Sequence, residues 1–250
     1  MPVALPSAAF MRLVATCLLA GGLLACDPAP PPATARSEGL ATTPLAVKLA
    51  QPGCTQDCAR FEANWLHFPT APDLEQQLLR DQGVVWKGSA KASLDFAATD
   101  FMADAEARWD NQLRLTQLTA ALPQVTVLEA LSYSFTGGAH GQSVLSFYNW
   151  DQRTRKLVGL RDWLLPGQDK VFWALVRDAH RRWAERSGEP SMIDSGWPFV
   201  VSQNMALLAD GLGVRYNAYE IGPYAEGAPL LRVPYARLKG VFKPEWLPAR

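Results

Sequence analysis

The chain has 250 residues, 48% of them hydrophobic, and its 24 lysines and arginines balance 24 aspartates and glutamates. That much apolar content can bury a globular core, and a formal net charge of zero supplies no electrostatic reason to seek nucleic acid.

From Leu13 to Ala25 the sequence is almost wholly apolar, yet shorter than the roughly 20 residues a membrane-crossing helix needs. Residues 1–25 therefore read as a signal peptide. Arg12 is the only charged residue before Cys26 and directly follows Met11, which makes Met11 a better start than Met1 for a positively charged leader. The run Leu23-Leu24-Ala25-Cys26 resembles the lipobox of bacterial lipoprotein precursors, which implies that Cys26 is acylated and becomes the first residue. By resemblance to enteric bacteria, Asp27 after that cysteine favours the inner over the outer membrane, with the protein facing the periplasm. Residues 26–50, with Pro28, Pro30, Pro31 and Pro32, read as a flexible, extended Pro/Ala-rich tether. The remaining 200 residues divide into an N-terminal α+β subdomain over 51–122 and a C-terminal one over 123–250.

Cys54 and Cys58 are the only cysteines after Cys26. In an oxidising compartment their spacing suits a small disulfide loop, stabilising by about 2 kcal/mol on the loop-entropy account. Zinc would need two further ligands, and only His67 is near. Next, Phe61, Ala63 and Trp65 alternate with Glu62 and Asn64, the pattern of a half-buried strand that Pro69 and Pro72 stop. Asp73 offers a cap for a short helix bearing Leu74 and Leu78 and ending before Gly83. Steps of three and four through Met102, Ala105, Trp109 and Leu113 predict a longer helix over Asp100–Leu118, with Asp104–Arg108 and Asp110–Arg114 as favourable pairs.

The period becomes two at Val125, Val127, Leu131, Tyr133 and Phe135, and a second apolar run spans Val144 to Trp150. These are strands, joined by the glycine-dense connector Thr136–Gly141. A polar turn over Asp151–Lys156 leads into Leu157–Leu160. A helix is expected over Asp169–Arg186, where Phe172, Leu175, Val176, Ala179 and Trp183 form a stripe that Gly188 and Pro190 end. Leu207–Ala209 and Leu212–Tyr216 flank Asp210-Gly211, a hairpin signal. Strands and helices mix without regular alternation, so the fold class is α+β, small antiparallel sheets packed with a few helices.

Three blocks resemble the RsiV-like extracytoplasmic domain family, shared with the N-terminal region of the peptidoglycan deacetylase PdaC and with envelope proteins of unknown function. They are Tyr133–Gly141; Tyr148–Asp151 with Leu160–Leu164; and Asp210–Leu212 with Tyr219–Gly227 and Val233–Tyr235. The resemblance covers about residues 125–240 well and implies two RsiV-like subdomains and a binding role, since the outer domain of RsiV itself binds lysozyme. Sigma-factor control and deacetylation are not carried over, because they belong to segments outside the resemblance.

Of the three histidines, His180 sits mid-helix beside Arg181 and Arg182 and reads as surface, while His67 closes a strand. His140 lies in the glycine turn, where its imidazole either bonds the turn backbone or contacts a ligand. No HExxH, HxH or GxSxG pattern joins them, so neither a catalytic constellation nor a metal or other cofactor is expected. The ligand-binding surface is placed on Gly137, Gly138 and His140 together with Tyr219, Glu220 and Tyr224, because loops on a rigid sheet carry recognition. The expected role is a non-catalytic binding domain of an envelope lipoprotein, its partner a lysozyme-like or other envelope protein. A peptidoglycan-binding module is the alternative, since nine tryptophans supply faces for sugars and Trp150, Trp163 and Trp197 lie near strand ends or loops. An envelope hydrolase is a second alternative.

Overall fold

The computed structural model describes residues 40–187, 193 and 196–249. The expected signal peptide, Cys26 and most of the expected tether lie outside them. Among the described residues the fold is mixed α+β, as the sequence predicts, and no helix is long and apolar enough to cross a membrane.

A six-stranded sheet is built from β1 (Thr43–Ala50), β2 (Arg60–His67), β3 (Asp110–Leu118), β4 (Val125–Phe135), β5 (Gln142–Asp151) and β6 (Lys156–Val158), in that spatial order. All its neighbours are antiparallel except β2 and β3. That parallel pair needs a long crossover, which α1 (Pro72–Asp81) and α2 (Ala90–Asp104) supply. Leu74, Leu78 and Leu79 of α1 and Leu94 and Ala98 of α2 bury against Phe61, Ala63, Trp65, Leu113 and Leu115. Leu128 and Ala130 of β4 belong to this core, whereas Val125 and Val127 belong to a second one on the opposite face. Covering both faces accounts for the unbroken buried run Val125–Leu128.

The second core holds β7 (Met205–Leu208), β8 (Gly211–Arg215) and β9 (Leu230–Val233), which form a three-stranded antiparallel sheet, with α3 (Leu160–Trp163) and α4 (Asp169–Arg186). Phe172, Val176 and Ala179 of α4 are buried there beside Trp163 and Phe242. Helix α4 spans the residues its apolar stripe predicts. The hairpin forms too, one residue earlier than expected: Leu208 pairs with Gly211, so the turn is Ala209-Asp210.

Asparagine side chains close the strand edges between the sheets. Leu145 N of β5 donates to Asn217 Oδ1 at 2.8 Å, Phe147 N donates to Asn204 Oδ1 at 2.7 Å, and Asn204 Nδ2 donates to Leu145 O at 2.7 Å. In the other direction, Asn149 Nδ2 of β5 donates to Met205 O at 2.8 Å and its Oδ1 accepts from Leu207 N at 3.0 Å. Each edge thereby receives the partners that a further strand would give it.

Several expectations are corrected. The helix over Asp100–Leu118 does not exist: α2 begins at Ser89, whose hydroxyl accepts from Ala92 N, and ends at Asp104. Ala105 is extended and Arg108 has φ of +70°, so the chain breaks there and resumes as β3, with Leu113 and Leu115 buried at a spacing of two. Trp109 is half-buried at that break, and Asp110 bonds Arg60 of β2 instead of Arg114. The 26–50 tether is overrun by β1, whose Leu45, Val47 and Leu49 turn inward opposite Trp65, Ala63 and Phe61. The expected division at 122–123 falls between β3 and β4, which pair from Asp110↔Phe135 to Leu118↔Val127 within one sheet. Helix α1 starts from Ala71 with Pro72 at its first position, and Asp73 lies in the first turn instead of at the cap. Cys54 and Cys58 are joined as a disulfide between β1 and β2, their Cα atoms 5.6 Å apart.

Candidate functional site

The β4–β5 hairpin turns through residues 136–141, where Gly137 and Gly138 have φ of +99° and +91°, a region that favours glycine. Gly141 then lies against Tyr133, and a Cβ there would stand 2.4 Å from the phenol ring. The Gly141 carbonyl is met by two donors. His140 Nδ1 donates to it at 3.0 Å and Tyr224 Oη donates to it at 3.0 Å. Because a carbonyl only accepts, the neutral imidazole carries its proton on Nδ1. Its Nε2 then accepts from Tyr219 Oη at 3.2 Å.

The rings assemble accordingly. His140 stacks on Tyr224 with centroids 3.8 Å apart and planes 21° from parallel; Tyr219 is 5.7 Å from Tyr224 and 6.4 Å from Trp197. Tyr219 is 47% exposed and Tyr224 37%, His140 is exposed and Trp197 half-buried. Tyr219 has φ of +70°, a conformation that costs a residue with a Cβ about 1–2 kcal/mol. The turn around it is held by Glu220, whose Oε2 accepts from Asn217 N at 2.7 Å, and by Glu220 N donating to Asn217 O at 3.2 Å. Through Asn217 the same turn is tied to β5 at Leu145.

Five of the six expected binding residues thus share one surface: Gly137 and Gly138 shape the hairpin tip, and His140, Tyr219 and Tyr224 make the ring cluster. Glu220 has its carboxylate engaged in the turn that aims Tyr219. Trp197 joins the cluster, as its position in a loop allows. Trp150 and Trp163 do not: they are 8% and 0% exposed and belong to the two cores. Asn217, which ties the Tyr219 turn to β5, lies in no sequence motif that would single it out, and Gly141 is visible only as the end of the glycine-dense connector. His180 is not on the surface but 1% exposed, stacked on Trp183 with centroids 5.7 Å apart and 5.9 Å from Phe199. Its position four residues after Val176 puts it on the buried stripe of α4, and burial lowers its pKa. His67 pairs with Glu75, away from the disulfide.

Chemically, the cluster offers flat apolar ring faces with fixed polar edges. Both His140 nitrogens are engaged within it. Among the described residues, no three His, Cys, Asp or Glu side chains converge as a metal-binding group.

Residues 162–236 match the family described as protein of unknown function, DUF3298. No match was found among curated proteins. The structure of a DUF3298 family protein from Pseudomonas aeruginosa PAO1 is similar with a TM-score of 0.74 and 33% identity, over 86% of this chain and 99% of that one. A member of the same family from Bacteroides fragilis NCTC 9343 is similar in fold, with a TM-score of 0.65 at 15% identity over 84% of this chain and 96% of that one. Identity of 33% spanning nearly all of the Pseudomonas protein, on the same fold, places the chain in the DUF3298 family.

Proposed function

We propose that this protein is an envelope lipoprotein, anchored through Cys26 and facing the periplasm, whose domain works by binding another protein through the His140–Tyr219–Tyr224 surface. The observation that carries the binding reading is an exposed group of rings in which His140 and Tyr224 stack and share the Gly141 carbonyl, and Tyr219 bonds His140. Tyrosine and tryptophan dominate the energetics of protein interfaces because they bury large area while losing few rotamers. Rings whose polar ends are already hydrogen-bonded lose less freedom on binding. The RsiV-like resemblance of the blocks that form this surface, Tyr133–Gly141 and Tyr219–Gly227, makes lysozyme the first ligand to test.

Calorimetric titration of residues 36–250, the chain's compact unit, with lysozyme and separately with soluble muropeptides tests the reading. Saturable heat with lysozyme is expected, weakened at least about tenfold by His140→Ala or Tyr224→Ala, a loss of about 1.4 kcal/mol in binding. The thermal midpoint should stay nearly unchanged, since both rings are at the surface. Heat with muropeptides alone would move the function to wall glycan, and no heat with either would overturn the binding role. The anchor is tested by detergent phase partitioning of the full chain: wild type is expected in the detergent phase and Cys26→Ser in the aqueous phase. Equal aqueous recovery of both would remove the lipoprotein claim.

A further inference from the structure

His67, at the end of β2, and Glu75, in α1, form a second polar arrangement. His67 Nδ1 lies 3.0 and 3.2 Å from the two carboxyl oxygens of Glu75. The Glu75 side chain is 2% exposed and that of His67 45%. A carboxylate removed from water is costly unless something engages it, and both Glu75 oxygens are directed at one histidine nitrogen. That contact fixes the orientation of the imidazole and leaves Nε2, which has no partner among the described residues, as its free edge.

The pair borders a cavity of about 360 Å³ whose other walls include Leu45, Pro72 and Trp86, with Lys91 at its rim. This volume lies within the range of small-molecule sites, about 300–1,000 Å³, and apolar walls with a few oriented polar groups are their usual make-up. Lys91 lies in the first turn of α2, which has no acidic residue, and its ammonium is paired with Asp95 one turn on. Burial pushes the Glu75 carboxyl up, and the contacts with His67 and with the Phe68 backbone draw it back. In the state with one proton between the Glu75 carboxyl and Nδ1, the second ring hydrogen stands on Nε2, which is then a donor. A donor edge, a neighbouring ammonium and the positive end of a helix together favour an anionic group at the polar end of the cavity.

We propose that this cavity is a binding site for a small amphipathic carboxylate, its carboxylate on His67 Nε2 and Lys91 and its apolar body against Trp86, Leu45 and Pro72. The site is separate from the ring cluster and does not depend on the function proposed for it. Octanoate and its neutral counterpart octanamide are the probes, titrated into residues 36–250 and followed by heat and by the nuclear magnetic resonance signals of the His67 imidazole and Trp86 indole. Octanoate is expected to bind saturably and shift both signals, and octanamide at least about tenfold more weakly. Trp86→Ala and His67→Leu should each weaken octanoate at least tenfold, while Tyr224→Ala leaves it unchanged. The comparison of the two ligands on the wild-type protein needs no variant to fold. Equal binding of amide and carboxylate, no saturation in the millimolar range, or shifts confined to other residues would each overturn the proposal.

Discussion

Replacing Asn149 by alanine is expected to lower the unfolding free energy by roughly 3 kcal/mol, seen as a lower urea midpoint with an unchanged slope. Asn149 is 4% exposed, and its amide serves both Met205 O and Leu207 N of β7. On β7 these two groups face away from β8, so no strand takes over when the amide is removed. Two backbone groups orphaned away from water cost about 1–3 kcal/mol each. Asn204→Ala is expected to cost less, because Asn204 is half-buried and water can reach the groups it leaves. A loss below about 1 kcal/mol for Asn149→Ala would mean that the sheets relax to repair the edge, and that the asparagine is not what joins them.

These bridges mark the limit of what the sequence makes legible. Where period and punctuation agree, as in α4, β2, β4 and β5, residues adjacent in the chain contain the whole signal. Asn217 and Leu145 stand 72 residues apart, and no local pattern announces that one will complete the other's strand. The parallel pairing of β2 and β3 is hidden for the same reason. The region of α2 and β3 misleads differently: alanine-rich α2 presents a weak apolar stripe, so the larger Met102, Trp109 and Leu113 align by chance across a chain break at Arg108. In the candidate site the rings of His140, Tyr219 and Tyr224 are legible as loop residues of a recognisable pattern. Their convergence is not, because Tyr224 stands 83 residues beyond the Gly141 carbonyl it bonds, and Tyr219 79 residues beyond His140. His180 shows how neighbours deceive: Arg181 and Arg182 suggest a solvated position, while the helical period assigns it to the apolar face.

That buried histidine makes stability depend on acidity, and acidification from pH 7.5 to pH 5 is expected to destabilise the wild type more than His180→Phe. His180 is 1% exposed, its Nε2 is buried without a partner, and burial lowers its pKa from the usual 6.5. Between the lowered folded value and 6.5 the unfolded chain binds a proton that the folded one does not, so stability rises with pH in that interval. The contribution is fully present above 6.5 and is lost as pH falls toward the folded pKa, at up to about 1.4 kcal/mol per pH unit. Phenylalanine retains a flat ring between Trp183 and Phe199 and removes both the titration and the orphaned nitrogen. Urea unfolding of the two proteins at pH 7.5, 6.5, 5.75 and 5 should therefore give curves with a constant offset above 6.5, set by the exchange of rings and the loss of the orphaned nitrogen, and a difference that shifts in favour of the variant below it. Because the other titrating groups are common to both proteins, the difference between the curves isolates His180. Parallel curves across the range would show that the imidazole gains a proton as easily in the fold as outside it, and that its place on the buried face of α4 is wrong.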